Sequence, residues 1–206
     1  MTESTLVLHG IWNSGHWVRP LAARLRRRGV AARAWGYPSV VGGPEVALPA
    51  LAACVRAQQV RALVGYSLGG LLALELLRRE PDLGIERVVC LGSPLCGSQT
   101  ARWLQGRRLG WLLGRSGPLL VAGQAGLPTT VAIGQVAGCR AMGVGRLLGA
   151  QGQASDGTVG LAETRWPGLA DHCVVEATHT GLPFHQAAAD QIAHFLAAAE
   201  AFCAPA

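Results

Sequence analysis

The sequence contains no lysine, and its net charge of +6 comes from 18 arginines set against 12 acidic residues. Only 15% of the residues are charged and 50% are hydrophobic, so the composition argues against a disordered chain. The arginines are spread along predicted helices and are not interleaved with aromatic residues, as they commonly are in nucleic-acid-binding segments. We therefore expect no nucleic-acid partner.

Long hydrophobic runs are missing as well. Arginine or glycine interrupts each of the longest apolar stretches before it reaches the ~18–20 residues that a membrane-spanning helix needs. The chain enters a strand-like pattern by Leu6, which leaves no room for the basic, apolar and cleavage regions of a signal peptide. We therefore expect a cytoplasmic protein that at most touches a membrane surface.

Cysteine pairs with metal-binding or redox spacing are also lacking. The six cysteines are scattered and include no C-x-x-C pair, which favours free thiols over disulfides and argues against a cysteine metal site. A chain of 206 residues can bury one full hydrophobic core. We therefore predict a single domain over residues 1–206.

Apolar strand-like segments alternate with helical segments along the whole chain. Strands are predicted over residues 5–9, 30–35, 61–66, 86–91, 130–133 and 173–177. Helices are predicted over residues 17–28, 44–57, 68–79 and 184–202. The alternation predicts an α/β fold in which a mostly parallel sheet of six strands carries helices on both faces. Ligands bind at the carboxyl ends of the strands in such sheets, so functional residues should lie in the loops that follow strands.

The most informative motif is the segment Gly65-Tyr66-Ser67-Leu68-Gly69. It matches G-x-S-x-G and lies between a predicted strand and a predicted helix, as a nucleophile elbow does. Small flanking residues let the helix approach the strand closely, while the strained turn exposes the serine. The alternative is an ordinary serine in a glycine-rich turn. We predict that Ser67 is a nucleophile.

A serine hydroxyl is a poor nucleophile unless a base takes its proton. His179 directly follows the last predicted strand and precedes the last helix, where it can reach Ser67. His185 is the one serious rival, because it also lies near the mouth of the expected site. His172 precedes the last strand and His194 lies within the final helix, so both are poorly placed. We predict that His179 is the base.

The third group must be a carboxylate that orients the imidazole. Asp156 lies in the loop 155–159 between the fifth and sixth predicted strands, in the chain order serine, acid, histidine that a G-x-S-x-G nucleophile requires. The other position for an acid, after the fourth strand, is occupied by residues 92–94, which offer no carboxylate. Glu163 is the fallback, and a plain Asp-Gly turn is the alternative interpretation of this loop.

An oxyanion that forms on a substrate carbonyl needs hydrogen-bond donors. One should be the backbone N–H of Leu68, directly after the nucleophile, and the second should come from the loop after the first strand. Gly10 allows a sharp turn there that points the Ile11 N–H into the site. His9 is expected to be structural. The substrate pocket is predicted to include three residues of the same region, which could equally be packing residues: Trp12, His16 and Trp17.

Together, residues 8–11, 65–69, 155–159 and His179 resemble the α/β-hydrolase superfamily, and specifically its small bacterial lipases and esterases and the inositol-deacylase-like lipases. The resemblance covers the whole chain. It implies an α/β-hydrolase fold and hydrolysis of carboxylic esters through an acyl-enzyme formed on Ser67, with neither a metal nor an organic cofactor.

The chain departs from the larger members of that superfamily at two points. It begins at what would be their third strand, which predicts a minimal sheet of six strands. The acid also lies far beyond the predicted end of its strand, with Ile133 and Asp156 separated by a long connection. A short helix in that connection would bring Asp156 back to the site.

Residues 96–127 are predicted to form a cap or lid. This segment contains four arginines and no acidic residue, beside Trp103, Trp111 and several leucines. A basic amphipathic cap can cover a pocket for an apolar acyl group or touch anionic lipid, and the alternative is a simple cover over the sheet edge. We therefore expect a small-molecule ester or lipid substrate and a transient contact with a membrane surface.

Three functions remain open at this point. The first is an esterase or lipase-like enzyme that acts on an apolar acyl ester. The second is a thioesterase or acyltransferase that uses the same three side chains. The third is a catalytically silent binding protein with the same fold, against which the set of Ser67, Asp156 and His179 argues.

Overall fold

The computed structural model describes residues 4–124, 126, 131–141, 154–198 and 202. Within these ranges six strands form one sheet in the order β2-β1-β3-β4-β5-β6, and every neighbouring pair is parallel. The strands are β1 (Ser4–Leu8), β2 (Ala31–Trp35), β3 (Val60–Tyr66), β4 (Arg87–Leu91), β5 (Ala132–Gly138) and β6 (Asp171–Val175). The predicted parallel α/β sheet is confirmed.

Helices cover both faces of the sheet because its central strands are apolar on both sides. Leu6, Leu8 and Leu63 pack against α2 and α3, whereas Val7 and Val64 point to the other face and pack against α1 and α6. The helices are α1 (Arg19–Arg26), α2 (Gly43–Gln58), α3 (Leu68–Arg79), α4 (Gln99–Gly106), α5 (Gly117–Ala122) and α6 (Gln186–Ala198). Successive residues of a strand thus contribute side chains to two apolar layers, one on each face of the sheet.

The strand order creates a crevice between β1 and β3. From β1 the chain first goes to β2 on one side and then returns to β3 on the other side. The connections that leave the carboxyl ends of β1 and β3 therefore diverge to opposite faces, and ligands bind at such a switch point.

Two strand predictions and two helix predictions had the wrong bounds. The helix predicted over 17–28 is α1 (Arg19–Arg26), and Trp17 belongs to the 3-10 turn that precedes it. β5 continues to Gly138 instead of ending at Ile133, and the first predicted residue, Thr130, lies outside the described residues. Two glycines of β5 mark close approaches: a Cβ on Gly134 would meet the rings of Phe195 and Phe202, and one on Gly138 would meet the chain at Ala177.

The last strand and helix also differ from the prediction. β6 begins at Asp171 and so includes His172, two residues earlier than predicted. The final helix does not include Phe184, which belongs to a separate 3-10 turn, and His185 between them is extended. The connection between β5 and the Asp156 loop, where a short helix was considered, lies outside the described residues from 142 to 153.

The predicted cap, residues 96–127, contains α4, a 3-10 segment (Gly110–Ser116) and α5. Its inward-facing leucines belong to the same buried cluster as α2 and α3: Leu104, Leu113 and Leu120. Residues 125 and 127 lie outside the described part. None of the helices in the described ranges has the length and hydropathy required to cross a membrane.

Candidate active site

Ser67 stands on a sharp turn between β3 and α3. Its backbone adopts φ +54° and ψ −117°, a conformation that is strained for a residue with a side chain. Its N–H donates to the Leu91 carbonyl at the end of β4 (2.8 Å), which holds the turn against the sheet. A Cβ on Gly65 would overlap the backbone of Gly69 and Gly70, so the close crossing of strand and helix requires glycine there.

His179 meets Ser67 above the carboxyl ends of the strands. Its Nε2 lies 3.1 Å from Ser67 Oγ, and its Nδ1 lies 2.7 Å from Asp156 Oδ2. All three side chains are largely buried, with Asp156 only 1% exposed. A carboxylate can only accept, so Nδ1 carries the imidazole proton and Nε2 is free to accept the proton of the Ser67 hydroxyl.

Asp156 is held by its own loop. Its Oδ1 accepts hydrogen bonds from the N–H groups of Thr158 and Val159 (2.9 and 2.8 Å), and its backbone carbonyl accepts from the His179 N–H (2.8 Å). The acid and the histidine are therefore joined through both side chain and backbone. The imidazole orientation is fixed by two bonds to one residue.

Gly92, at the end of β4, explains why the acid comes from a later connection. A Cβ on this residue would clash with Leu182 and would approach Asp156 Oδ2 and His179 Nδ1 to 3.4 Å. Its φ of +61° also disfavours a side chain. The space beside β4 is thus already filled by the Asp156–His179 pair.

Two backbone N–H groups belong to residues close to Ser67, namely Leu68 and Ile11. The Leu68 N–H lies in the first turn of α3, where helical N–H groups have no intrahelical acceptor. Ile11, in the loop after β1, lines the same cavity as Ser67. In the described part of the chain neither N–H donates a hydrogen bond to another residue. Both are therefore able to bind an oxygen that carries negative charge.

His9 orients the peptide that carries the Ile11 N–H. Its Nε2 accepts from the Tyr37 N–H (3.2 Å), so the proton lies on Nδ1, which donates to the Gly10 carbonyl (2.8 Å). Because a trans peptide places its C=O and N–H on opposite sides, this bond directs the Ile11 N–H away from His9. Burial lowers the pKa of His9, which keeps it in the neutral form that this pairing requires.

A cavity of about 200 Å³ opens beside Ser67. Its wall is mainly apolar, and the cap contributes a large part of it. The cap residues are Ser98, Thr100, Ala101, Leu104, Leu113 and Leu120, and the Asp156 loop adds Thr158 and Val159. The sequence did not single out these individual residues, although Ala101 and Leu104 lie at a helical i, i+3 spacing that places them on one face of α4.

The three residues predicted to contact substrate separate into two groups. Trp12 and Trp17 line the cavity, and Trp17 also contacts Phe184 edge-on (5.3 Å between ring centroids). His16 is exposed and is not part of the cavity wall, which corrects its assignment to the pocket. The 3-10 turn Gly15–Val18 accounts for the difference, because neighbouring residues in such a turn point in different directions.

Sequence comparison returned no relative, since neither a family model nor a curated protein matches the chain. Solved structures do match. The mature lipase BlEst2 of Bacillus licheniformis has a TM-score of 0.74 at 20% identity, over 96% of this chain and 91% of that one. A hydrolase of the alpha/beta superfamily from Xanthomonas campestris has a TM-score of 0.62 at 16% identity, over 95% and 99%. The chain has the α/β-hydrolase fold.

The same fold is found in proteins with different named activities. The type II thioesterase BorB from the borrelidin biosynthetic cluster has a TM-score of 0.61 at 21% identity and covers 97% of this chain and 92% of its own. The α/β-hydrolase fold alone therefore does not select one activity, and the function has to be argued from the site.

The rival site residues lie elsewhere in this α/β-hydrolase fold. His185 follows a 3-10 turn and is not part of the cavity wall, His194 is exposed on α6, and the His172 Nε2 is paired with the Thr164 hydroxyl (2.8 Å). Glu163 is buried beneath the Asp156 loop, where burial raises its pKa to about 7. Asp156, not Glu163, is the carboxylate bonded to His179.

Proposed function

We propose that the protein is a serine hydrolase that cleaves carboxylic esters with an apolar acyl group. The observation that carries the proposal is the continuous hydrogen-bonded series from Ser67 Oγ through His179 to Asp156, at 3.1 and 2.7 Å, in the wall of an apolar cavity. Nucleophile, base and orienting acid then have the mutual geometry that acyl transfer requires.

In the proposed reaction, Ser67 Oγ attacks the ester carbonyl carbon while His179 Nε2 takes the hydroxyl proton. The carbonyl oxygen becomes an oxyanion that accepts hydrogen bonds from the N–H groups of Ile11 and Leu68. Collapse of this intermediate breaks the bond to the alcohol, which leaves with the proton from His179. The acyl group remains on Ser67.

Water completes the cycle. His179 takes a proton from a water molecule as its oxygen attacks the acyl-enzyme carbonyl, and collapse of the second intermediate releases the carboxylic acid. The proton returns to Ser67 Oγ. Throughout, Asp156 stabilises the imidazolium by accepting the Nδ1–H bond.

A fluorophosphonate probe tests the nucleophile. Wild type should be labelled and Ser67→Ala unlabelled, whereas Ser98→Ala, which removes another hydroxyl from the cavity wall, should remain labelled. Equal labelling of wild type and Ser67→Ala would remove Ser67 from the mechanism. No labelling of any protein would favour a catalytically silent binding function.

A thioesterase or acyltransferase is the second candidate. It is supported by the similarity in fold to BorB, which is named as a thioesterase, and by the fact that the same acyl-enzyme serves esters and thioesters. Rates with p-nitrophenyl esters and with acyl-CoA of the same chain length separate the candidates. We expect the ester to react with the higher kcat/KM, and the reverse order would favour the thioesterase.

We further propose a transient contact with anionic lipid through an apolar rim around the cavity mouth. The rim consists of Trp12 (59% exposed), Trp17, Leu109, Trp111 (73% exposed) and Phe184. Trp12 and Trp17 line the same cavity, and Phe184 touches Trp17. Trp12 is bonded to Leu112, which follows Trp111 and donates its N–H to the Leu109 carbonyl (3.0 Å), so the five form one region. Exposed tryptophans beside cationic residues are typical of surfaces that enter a lipid interface.

The positive charge of the cap favours anionic lipid over neutral lipid. The cap contains no acidic residue and four arginines, which are Arg102, Arg107, Arg108 and Arg115. Wild type should sediment with phosphatidylglycerol vesicles and not with phosphatidylcholine vesicles. Trp111→Ala should weaken this binding, while Val174→Ala, which removes an exposed apolar side chain from β6, should not. Absence of binding to either vesicle, or unchanged binding of Trp111→Ala, would contradict the proposal.

A further inference from the structure

The backbone of Trp12 adopts a conformation that a bulky side chain disfavours. Its φ is +59°, in the left-handed region that bulky side chains rarely adopt. The other non-glycine residues with positive φ in the described ranges are Gln59 and Arg108, which follow helix ends, and Ser67. Trp12 and Ser67 are therefore the two such residues that line the cavity, and both flank an N–H assigned to oxyanion binding.

A long-range hydrogen bond holds Trp12 in this conformation. Its indole Nε1–H donates to the Leu112 carbonyl (2.8 Å), a residue 100 positions away in the 3-10 segment of the cap. Leu113, directly after the acceptor, lines the cavity. The indole therefore joins the loop that carries the Ile11 N–H to the part of the cap that faces an acyl group.

The 3-10 segment of the cap is itself anchored to the body of the protein. The Arg115 N–H donates to the Val40 carbonyl (2.9 Å), and the Ser116 hydroxyl donates to the Ser39 carbonyl (2.6 Å). Both acceptors lie in the connection between β2 and α2. The Leu112 carbonyl thus has a defined position, and a bond to it can hold a loop in place.

The loop after β1 is consequently held at both ends. His9 holds the Gly10 carbonyl from the side of the sheet, and the cap holds Trp12 from the opposite side, with Ile11 between them. We propose that Trp12 is a positioning residue whose bond to Leu112 keeps the Ile11 N–H where the oxyanion forms. This inference rests on the proposed ester hydrolysis and adds a link between the cap and the reacting centre.

The link has a consequence for substrates. An acyl chain that fills the cavity packs against Leu113 and its neighbours. It thereby stabilises the position of the cap in which the Leu112 carbonyl accepts the hydrogen bond from Trp12. Part of the binding energy of a remote group is then used in the transition state, so kcat should rise with acyl length and not only kcat/KM. Without the indole N–H this rise should be reduced.

The test compares Trp12→Phe, which removes the N–H and keeps an aromatic ring, with wild type. On p-nitrophenyl butyrate we expect kcat to fall about tenfold with KM changed less than about twofold, since small misplacements of a catalytic group are costly. Affinity for an alkyl trifluoromethyl ketone, which forms an oxyanion on Ser67, should fall by a similar factor. Trp103→Phe, which removes another indole of the cap that does not line the cavity, should change neither value.

A second variant tests the same link without altering the tryptophan. Ser116→Ala removes the anchor to Ser39 and should lower kcat in the same direction by a smaller factor. Thermal unfolding and fluorophosphonate labelling show whether each variant remains folded with a reactive Ser67.

The outcomes separate this inference from the proposed function. If Trp12→Phe raises KM and leaves kcat unchanged, Trp12 only lines the pocket, and the inference is overturned. Unchanged kinetics with both Trp12→Phe and Ser116→Ala overturn it as well. If wild type is neither labelled nor active, the proposed function fails and the inference fails with it.

Discussion

The hydrogen-bonded group of Ser67, His179 and Asp156 and the cap are built in opposite ways. In the first, each polar atom that faces the reaction has a directional partner at 2.7 to 3.1 Å. In the second, three of the six residues toward the cavity are leucines, and the middle of the cap is a 3-10 segment interrupted at Gly114 by a non-helical turn. Proton transfer requires fixed angles and distances, whereas recognition of an apolar chain requires area and volume.

The arginines of the cap add to this contrast. Arg102 donates to the carbonyls of Gly97 and Val121, and the Arg107 guanidinium lies over the Trp103 ring at 4.2 Å from its centroid. At least two of the four cationic side chains thus hold the cap together. These arginines therefore have a structural role within the cap, in addition to any contact with a charged partner.

The largest effect is expected when the hydrogen-bonded group is broken at its acid. Asp156→Asn should lower kcat for p-nitrophenyl butyrate on the order of 10³- to 10⁴-fold, because the amide no longer holds His179 in the reactive tautomer. Glu163→Gln should lower it by less than about tenfold, since Glu163 is not bonded to the imidazole. If Glu163→Gln lost more activity than Asp156→Asn, Glu163 and not Asp156 would be the acid that supports His179.

A smaller effect is expected at the boundary between the two regions, where Glu163 is buried below the Asp156 loop and its carbonyl accepts from the Cys96 N–H of the cap (2.9 Å). Burial raises its pKa from 4.5 to about 7 in the folded state. Between these values the folded state keeps a proton that the unfolded state has lost, so the free energy of unfolding falls as pH rises through this window.

The Glu163→Gln variant has no ionisable group at this position, so its free energy of unfolding should not show this decrease with pH. Relative to wild type, its free energy of unfolding in urea should gain about 3 kcal/mol between pH 4.5 and pH 8. Glu176→Gln, a change at an exposed carboxyl, should show no comparable gain. A difference between Glu163→Gln and wild type that is independent of pH would contradict the raised pKa.

The smallest effect is expected at Leu120, a residue of the cap in the cavity wall, where the selectivity between substrates should change. Leu120→Ala enlarges the cavity and should raise the ratio of kcat/KM for octanoate over butyrate esters several-fold, since each buried methylene contributes about 0.8 kcal/mol. Leu119→Ala, the neighbouring substitution outside the cavity wall, should leave the ratio unchanged. If both variants retain the wild-type ratio, the acyl chain does not enter this cavity.

Local patterns predicted the parts of the site that depend on a single turn. The motif at 65–69, the histidine after the last strand and the Asp-Gly loop were each visible as short segments, and the structure brings their side chains together. The strand predicted over 130–133 stops before Gly134 and Gly138, which a linear pattern does not distinguish from glycines of a loop. Their function as gaps for Phe195 and Ala177 depends on elements far away in the chain.

The sequence by itself determined the strand and helix order, the strained serine turn and the chain order of nucleophile, acid and base, because these follow from local backbone preference and hydrophobic periodicity. Only the tertiary structure decided that Trp12 is bonded to Leu112, that His9 orients the Ile11 peptide, and that His16 is not part of the cavity wall. Such contacts depend on close packing between distant segments. A linear pattern does not encode which atoms will meet across that distance.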